Sequence, residues 1–377
     1  MLLTGASISR LSPRISRHFF PRRPVFQRPA SPVRACSQLC YPLLDATKKL
    51  EEETLPWYQV IGKLGYGGYS TVWLCRDLQM HDYITLKVFE RNSAEGQREV
   101  ETYRHLNTLG TTDHAGAKLF RKALDSFQIT SEEGNFGCLV HPTLGISLYD
   151  FRAQLRAKVL PESIVKLTLI HLLLALDYLH TDAGIVHTDI QEKNIMMAIG
   201  DPSILADFEE EEKSGPSPRK SVGDRVIYAS RKLRRTTQHG RSTLCDFGQA
   251  RRGSDTYHGD IQPYIYRAPE NAGWLTWDLF EQGHLFHGRD SDKKSSDAHH
   301  IAEIIANSVY ATEFFDDEGN WKGAIEIPSR SLETLEGNLE GEPRLLFLRF
   351  LRKMLQWKPE ERFSARELLE DPWLRSP

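Results

Sequence analysis

Three short stretches of this sequence hold residue types that could act together on phosphate. In Leu64-Gly65-Tyr66-Gly67-Gly68-Tyr69-Ser70-Thr71-Val72, glycines between two strand-like runs let backbone approach phosphate oxygens with no Cβ in the way. Lys87 lies fifteen residues beyond Val72, in Ile84-Thr85-Leu86-Lys87-Val88, where its ammonium could reach the α- and β-phosphates of a nucleotide. Glu99, twelve residues on, is placed to pair with that lysine. In His187-Thr188-Asp189-Ile190-Gln191-Glu192-Lys193-Asn194, Asp189 could accept the proton of an attacking hydroxyl and Asn194 could ligate a divalent ion. Asp246, in Leu244-Cys245-Asp246-Phe247-Gly248, supplies a carboxylate of the kind that holds such an ion between phosphates. Each has an ordinary reading when taken singly: a tight hairpin, a surface cation, a solvated helix face, a polar turn. The ordered set, closed by Tyr266-Arg267-Ala268-Pro269-Glu270, is very hard to reach by chance. Its chemistry is phosphoryl transfer.

These groups need elements to position them. Trp57–Asp77 mixes β-branched and aromatic residues around the glycines, and His81–Phe89 resumes the pattern, which predicts two or three antiparallel strands. Val100, Tyr103 and Leu106 fall at three-residue steps and predict a helix over Ser93–Leu109. Strand-like segments return at Leu119–Thr130 and Phe136–Val140. Beyond Gly145 the chain reads as helix and loop, with a strongly apolar helix at Ile164–His180. Asp207–Gly240 holds the acidic run Glu209–Glu212, then Ser/Pro/Arg-rich sequence, then the basic run Arg231–Arg235. It has neither helical nor strand period and is expected to be a disordered insert on the surface.

The 377 residues suit a bilobed enzyme or two packed domains, and a composition 40% hydrophobic and 26% charged suits a protein with a real core. Ile164–Leu176 is interrupted by Lys166, Thr168 and His171 and falls short of the ~20 apolar residues of a membrane span. The five cysteines are odd in number and spread out, which fits free thiols in a reducing compartment. Residues 1–44 carry seven arginines and no acid, and read equally as an organelle-targeting leader or a disordered basic tail. The rest of the chain holds 41 basic against 51 acidic residues, a net of −10, which suits basic partners better than nucleic acid.

With these residues in order, the chain resembles the eukaryotic-type protein kinases, over about residues 57–374. The narrower resemblance is to the SR-protein-specific kinases (SRPK), in the shorter form found in fungi. It is carried by Lys63–Leu74, by His187–Asn194 with threonine where most kinases have arginine, by Ile261–Glu270, and by an insert at the same place. The resemblance implies an α+β, bilobed fold with a small β-rich N-lobe (57–142) and a larger helical C-lobe (145–374). It implies ATP and Mg²⁺ as cofactors, Arg-Ser-rich proteins such as splicing factors as partners, no direct nucleic-acid or membrane partner, and a monomer in cytoplasm and nucleus. The Arg-rich leader adds the mitochondrion as a possible address. Residue by residue, Asp189, Lys87 and Glu99 would be catalytic, Asn194 and Asp246 would hold metal, and Leu64–Val72 would cover the nucleotide. Leu64, Val72, Thr85 and Met196 would line the adenine pocket, with His141 at its back and Pro142-Thr143-Leu144 bonding the base through backbone. Glu270 would pair with Arg362. Without an arginine at Thr188, gating by a phosphate on the activation segment is not expected.

The departures carry expectations of their own. Thr85 stands for the usual alanine and Ser70 for the third glycine. Gln191 replaces a lysine that helps neutralise the transferring phosphoryl group, so transfer should be slower. After Glu270, about fourteen residues of a core helix are missing, among them an aspartate that anchors the catalytic loop; Asp278 lies too late in the motif to replace it. The alternative to an active enzyme is therefore a catalytically impaired pseudokinase or scaffold. A small-molecule kinase is disfavoured because Ile261–Glu270 resembles a peptide-positioning segment.

Overall fold

A five-stranded antiparallel sheet comes first in the chain, in the order β1-β2-β3-β5-β4. Its strands are β1 (Tyr58–Tyr66), β2 (Ser70–Asp77), β3 (Tyr83–Phe89), β4 (Asp125–Ser131) and β5 (Gly134–Pro142). The computed structural model describes residues 57–131, 134–222, 225–253, 271–281, 283–307, 316, 321–323, 325–356 and 358–376. The basic leader, Ile261–Glu270, and with Glu270 the pairing expected to Arg362, lie outside them.

Strand periodicity decides which side chains face which way. Trp73, Cys75, Ile84, Leu86, Val88, Phe136, Cys138 and Val140 alternate along β2, β3 and β5 and form one buried cluster. The two-residue period then puts Thr85, Lys87, Leu139 and His141 on the opposite face. In the register, Lys87 lies opposite Val72 on one side and Leu139 on the other. A lysine amid strand apolar residues is thus aimed away from the sheet's own core.

Helix α1 (Ala94–Thr108) packs on this second face. Ser93 caps it by accepting a hydrogen bond from the Gly96 amide, and Glu99, Tyr103 and Leu106 are its buried stripe. The C-terminal region contributes α2 (Leu148–Gln154) and the long α3 (Glu162–Thr181). By length and composition α3 is long and apolar enough to cross a bilayer, which corrects the expectation from its interrupted sequence. Here it is a core helix, with Val165, Leu169, Leu173 and Leu179 at most 1% exposed inside the largest apolar cluster. Lys166, one of the interruptions, bonds the Ser376 hydroxyl and carbonyl at 2.8 and 3.2 Å. The short strand β6 (Ile185–Val186) and β7 (Ile195–Ile199) bracket the Asp189 segment.

The expected disordered insert is ordered, and this is the main correction. It forms helix α4 (Ser203–Ser214) and a hairpin of β8 (Arg219–Val222) and β9 (Arg225–Tyr228) before the chain enters β10 (His239–Leu244). The acidic run Glu209–Glu212 lies inside α4. Ile204, Leu205 and Phe208 pack with Leu74, and Ile61, Leu64, Tyr83 and Leu233 close around them. Burial opposes the charge on Glu209, but hydrogen bonds from Tyr83, Lys213 and Arg76 prevail and take its pKa down to about 2. Beyond the hairpin, the Arg231 amide donates to the Lys63 carbonyl at 2.8 Å and Lys232 meets Asp150 of α2 at 2.8 Å. The insert therefore also covers the open edge of β1, where unpaired strand groups would otherwise be exposed. Phe208 is 1% exposed. A Phe208→Ala change should destabilise the protein by about 3 kcal/mol, read from urea denaturation, and should make residues 203–235 protease-sensitive. A midpoint equal to the parent's would mean that α4 contributes nothing to the packing.

The chain then passes the Asp246 segment to β11 (Arg251–Arg252), which pairs with β6. Helices α5 (Asn271–Phe280), α6 (Asp297–Asn307) and α7 (Gly341–Met354) follow. Leu275, Leu279 and Phe280 of α5 join Phe347 and Phe350 of α7 in the cluster built on α3.

Candidate active site

The sheet, α1 and the two polar loops converge on one point. Lys87 Nζ donates to Glu99 Oε2 at 2.6 Å and stands 3.3 Å from Asp246 Oδ1. Burial works against the charge on Lys87, but Glu99 and Asp246 outweigh it and its pKa is raised. Burial also pushes Glu99 up, to about 7, with the Asp246 charge adding and the lysine opposing. Asp246 is held below the usual carboxylate range by Lys87 first, and the Gly248 amide adds a bond to Oδ1 at 3.3 Å.

Asp189 is fixed from three directions. Asn194 Nδ2 donates to its Oδ2 at 2.7 Å and to its carbonyl at 2.9 Å, and Gln191 Nε2 donates to its Oδ1 at 2.7 Å. Burial raises the Asp189 pKa against the pull of these two amides. Because Asn194 spends its nitrogen on Asp189, its oxygen is the end left for a cation. The Cys245 amide donates to the Asn194 carbonyl at 2.7 Å, which draws the Asn194 turn beside Asp246. Asp246 and Asn194 are hard oxygen donors that suit Mg²⁺, an ion that keeps waters and phosphate oxygens for its other positions. Among the described residues no group of three or more His, Cys, Asp or Glu could hold a metal.

Thr188 and Asp246 both have left-handed backbone, with φ of 61° and 66°. Such conformations cost a non-glycine residue of order 1–3 kcal/mol and persist where surrounding contacts over-determine them. Those contacts are present. Thr188 Oγ1 donates to the Gln249 carbonyl at 2.5 Å, and His187, fully buried, bonds the Cys245 carbonyl at 3.0 Å through Nε2. Burial holds His187 neutral, with a pKa lowered to about 4. Phe247 locks the segment by packing against His187, Tyr103 and Phe120, ring centroids 4.9 to 5.9 Å apart.

The glycine segment is a hairpin, as its ordinary reading requires, and its last residue, Val72, pairs with Lys87. Gly65 pairs with Val72 and Tyr66 with Thr71, while Gly67 donates its amide to the Ser70 carbonyl at 2.8 Å. A Cβ added at Gly65 or Gly68 would meet nothing within 4 Å, so packing does not require these glycines. Tyr66 and Tyr69 are exposed, whereas Ser70 and Thr71 are buried. Leu64, expected in the adenine pocket, packs against the α4 cluster because the insert covers this end of β1. Val72 and Met196 are half-buried on β2 and β7. Thr85 Oγ1 donates to Thr143 Oγ1 at 3.2 Å and ties β3 to the linker, where Thr143 and Leu144 are half-buried. His141, 1% exposed, bonds the Lys122 carbonyl at 2.8 Å, and burial drives its pKa far below the ordinary value.

Sequence reasoning passed over Arg98 and Gln249. Arg98 Nη1 bonds the Gly248 carbonyl at 2.8 Å and Gln249 Oε1 at 3.2 Å, so α1 grips the Asp246 segment through two successive residues, Arg98 and Glu99. The signal available was adjacency: Gln249 directly follows Asp246-Phe247-Gly248, and Arg98 directly precedes Glu99.

Comparison with known proteins agrees with this geometry. The family model described as the protein kinase domain matches residues 58–374. A serine/threonine protein kinase of Aspergillus fumigatus is 42% identical, over 93% of this chain and 97% of that protein. SRPK of Physarum polycephalum is 26% identical over 84% of this chain and 85% of that protein. SRSF protein kinase 3 of Homo sapiens is 33% identical over 44% of this chain and 30% of its own length. A solved kinase-domain structure superposes with a TM-score of 0.62 at 22% identity, covering 85% of this chain and 96% of the other.

Proposed function

The chain belongs to the protein kinase family and is a serine/threonine kinase, and we propose that its substrates are Arg-Ser-rich proteins of the kind SR-protein kinases modify. The observation that carries the catalytic assignment is the single cluster in which Lys87 meets both Glu99 and Asp246 while Asn194 meets Asp189. In this reading Lys87, fixed by Glu99, holds the α- and β-phosphates of ATP under the Gly65–Val72 hairpin. Asp246 and Asn194 hold Mg²⁺, which when bound neutralises charge on the transferring phosphoryl group. Asp189 orients the substrate hydroxyl and accepts its proton. The substrate class is supported by the SRPK relatives and by the acidic body of the chain, net −10 over residues 45–377, which attracts basic peptides.

One observation favours a second reading, a kinase-shaped binding module. The shortened segment leaves α5 with Asp278 as a buried carboxylate, and that residue bonds His284 Nδ1 at 2.6 Å. Loss of the catalytic-loop anchor that the shortened sequence implies would cost roughly 1–3 kcal/mol and would permit nucleotide binding without transfer.

The test is transfer from labelled ATP–Mg²⁺ to an Arg-Ser repeat peptide, beside an Asp246→Asn control. Transfer that vanishes in the control is expected. Folded protein that binds nucleotide yet labels neither this peptide nor general serine substrates would replace the catalytic reading with the binding one. Labelling of general substrates but not the repeat would remove only the substrate class.

A further inference from the structure

The turn that carries Asn194 is edged by acids, and the described ones near it are already paired. Glu192 accepts two bonds from Arg152, at 2.9 and 2.8 Å. Asp278 and His284 form a pair close enough to act on Glu192. Asp150, on the facing helix α2, is taken by Lys232 at 2.8 Å. Lys193 differs. It is exposed on the same turn, its ammonium sits over the ring of Tyr149 of α2 at 5.2 Å, and it forms no ion pair among the described residues.

Its position makes this uncompensated charge consequential. Lys193 directly precedes Asn194, whose amide is 2.7 Å from the Asp189 carboxylate. Consecutive Cα atoms are about 3.8 Å apart, and lysine carries its charge on a long flexible stem. A peptide offering a hydroxyl to Asp189 passes beside this turn, where a neighbouring side chain can come within reach of the cation. The chain is acidic overall, net −10 over residues 45–377, and Lys193 is an exposed positive charge on it.

We propose that Lys193 determines specificity by receiving an anionic side chain, carboxylate or phosphate, that flanks the acceptor serine. The inference rests on the substrate class proposed above and narrows it. An arginine at this spot is repelled, whereas a serine phosphorylated in an earlier turnover is attracted, since its phosphate carries about −1.5 to −2 charges and bonds ammonium groups strongly. Repeats of Arg-Ser would then become better substrates once the first serine is modified.

The experiment uses the full-length protein and peptides with a single acceptor serine. One residue at each of the three positions on either side is varied among Ala, Asp, phosphoserine and Arg, and kcat/KM is measured at low and high salt. At one or two positions the expected order is phosphoserine, Asp, Ala, Arg, with steps of about two- to fivefold at low salt that shrink at high salt. Lys193→Glu should reverse the order within its own series and Lys193→Met should flatten it, changes of sign that a structural role would not produce. Preference for phosphoserine over an indifferent Asp identifies phosphate as the ligand; equal preference identifies any anion. A Lys193→Met series with the parent's order, or a parent with no charge preference, overturns the inference and leaves the kinase reading intact. A parent that labels none of these peptides but labels other serine substrates overturns the substrate class and this inference together.

Discussion

An Asp189→Asn variant is expected to transfer phosphate about 10²- to 10⁴-fold more slowly than the parent, with ATP binding retained. The reason lies in how the carboxylate is held. Asn194 and Gln191 each donate to one of its oxygens at 2.7 Å, so the carboxylate is positioned without being used up. An amide in its place cannot accept a proton, and it turns one NH₂ toward a donor, losing about one hydrogen bond, or roughly 1 kcal/mol. Asn194 would also shift, so part of the loss should appear as a higher Mg²⁺ concentration needed for half-maximal transfer. The pH profile gives a second reading of the same residue. Burial raises the Asp189 pKa, and the working form is the carboxylate, so activity falls as pH drops through a value above the ordinary aspartate range. The variant should lose that acid limb. Single-turnover transfer across pH 4 to 8 would check both; retention of the parent's rate in the variant would remove Asp189 from the mechanism.

Lys87→Met should be comparably severe for transfer, about 10²- to 10³-fold, the scale for removing one preorganised charge-stabilising donor. Its effect on stability is the more diagnostic one. Glu99 is 2% exposed and already pushed up to about 7 by burial with its lysine present. Removing the lysine takes away the main opposing influence, so the pKa of Glu99 should rise further and the folded state should keep Glu99 protonated. A group whose folded pKa lies above its unfolded value holds a proton in the native state that it has lost in the unfolded one. Stability therefore falls as pH rises beyond the unfolded pKa, near 4.3 for glutamate. Glu99 of the parent is itself protonated below about 7, so the variant's deficit should open above that pH and grow toward pH 8 by at most about 1.4 kcal/mol per pH unit. Thermal midpoints of parent and variant across that interval would show a widening gap. Adding Glu99→Gln should close most of it, since an amide has no charge to strand. A gap independent of pH would mean that the Lys87–Glu99 contact is packing rather than charge.

The residues of the candidate site were legible in the sequence because phosphate chemistry admits few residue types. An ammonium, a carboxylate to steady it, a carboxylate and an amide for a cation, and a carboxylate base must appear in some order, and here they appear as Lys87, Glu99, Asp246, Asn194 and Asp189. The strands were legible for a similar reason. Half-burial imposes a period of two, visible at Trp73, Cys75 and Ile84, Leu86, Val88.

The insert was not legible, because nothing in its own sequence supplies what stabilises it. Ile204, Leu205 and Phe208 make a short apolar patch ahead of four successive glutamates, too little to mark a helix by period. Their partners are Leu74, Ile61 and Tyr83, more than a hundred residues earlier, and only folding of the sheet brings these together. The same contact packs Leu64 against α4. Pairing followed the same rule. The order of the chain determined that Lys193 adjoins Asn194, but only the tertiary structure decided that Glu192 and Asp150 find cations elsewhere and that Asp278 bonds His284. Local spacing specifies which groups are available, whereas the net charge of a surface depends on which partners the fold delivers to each of them.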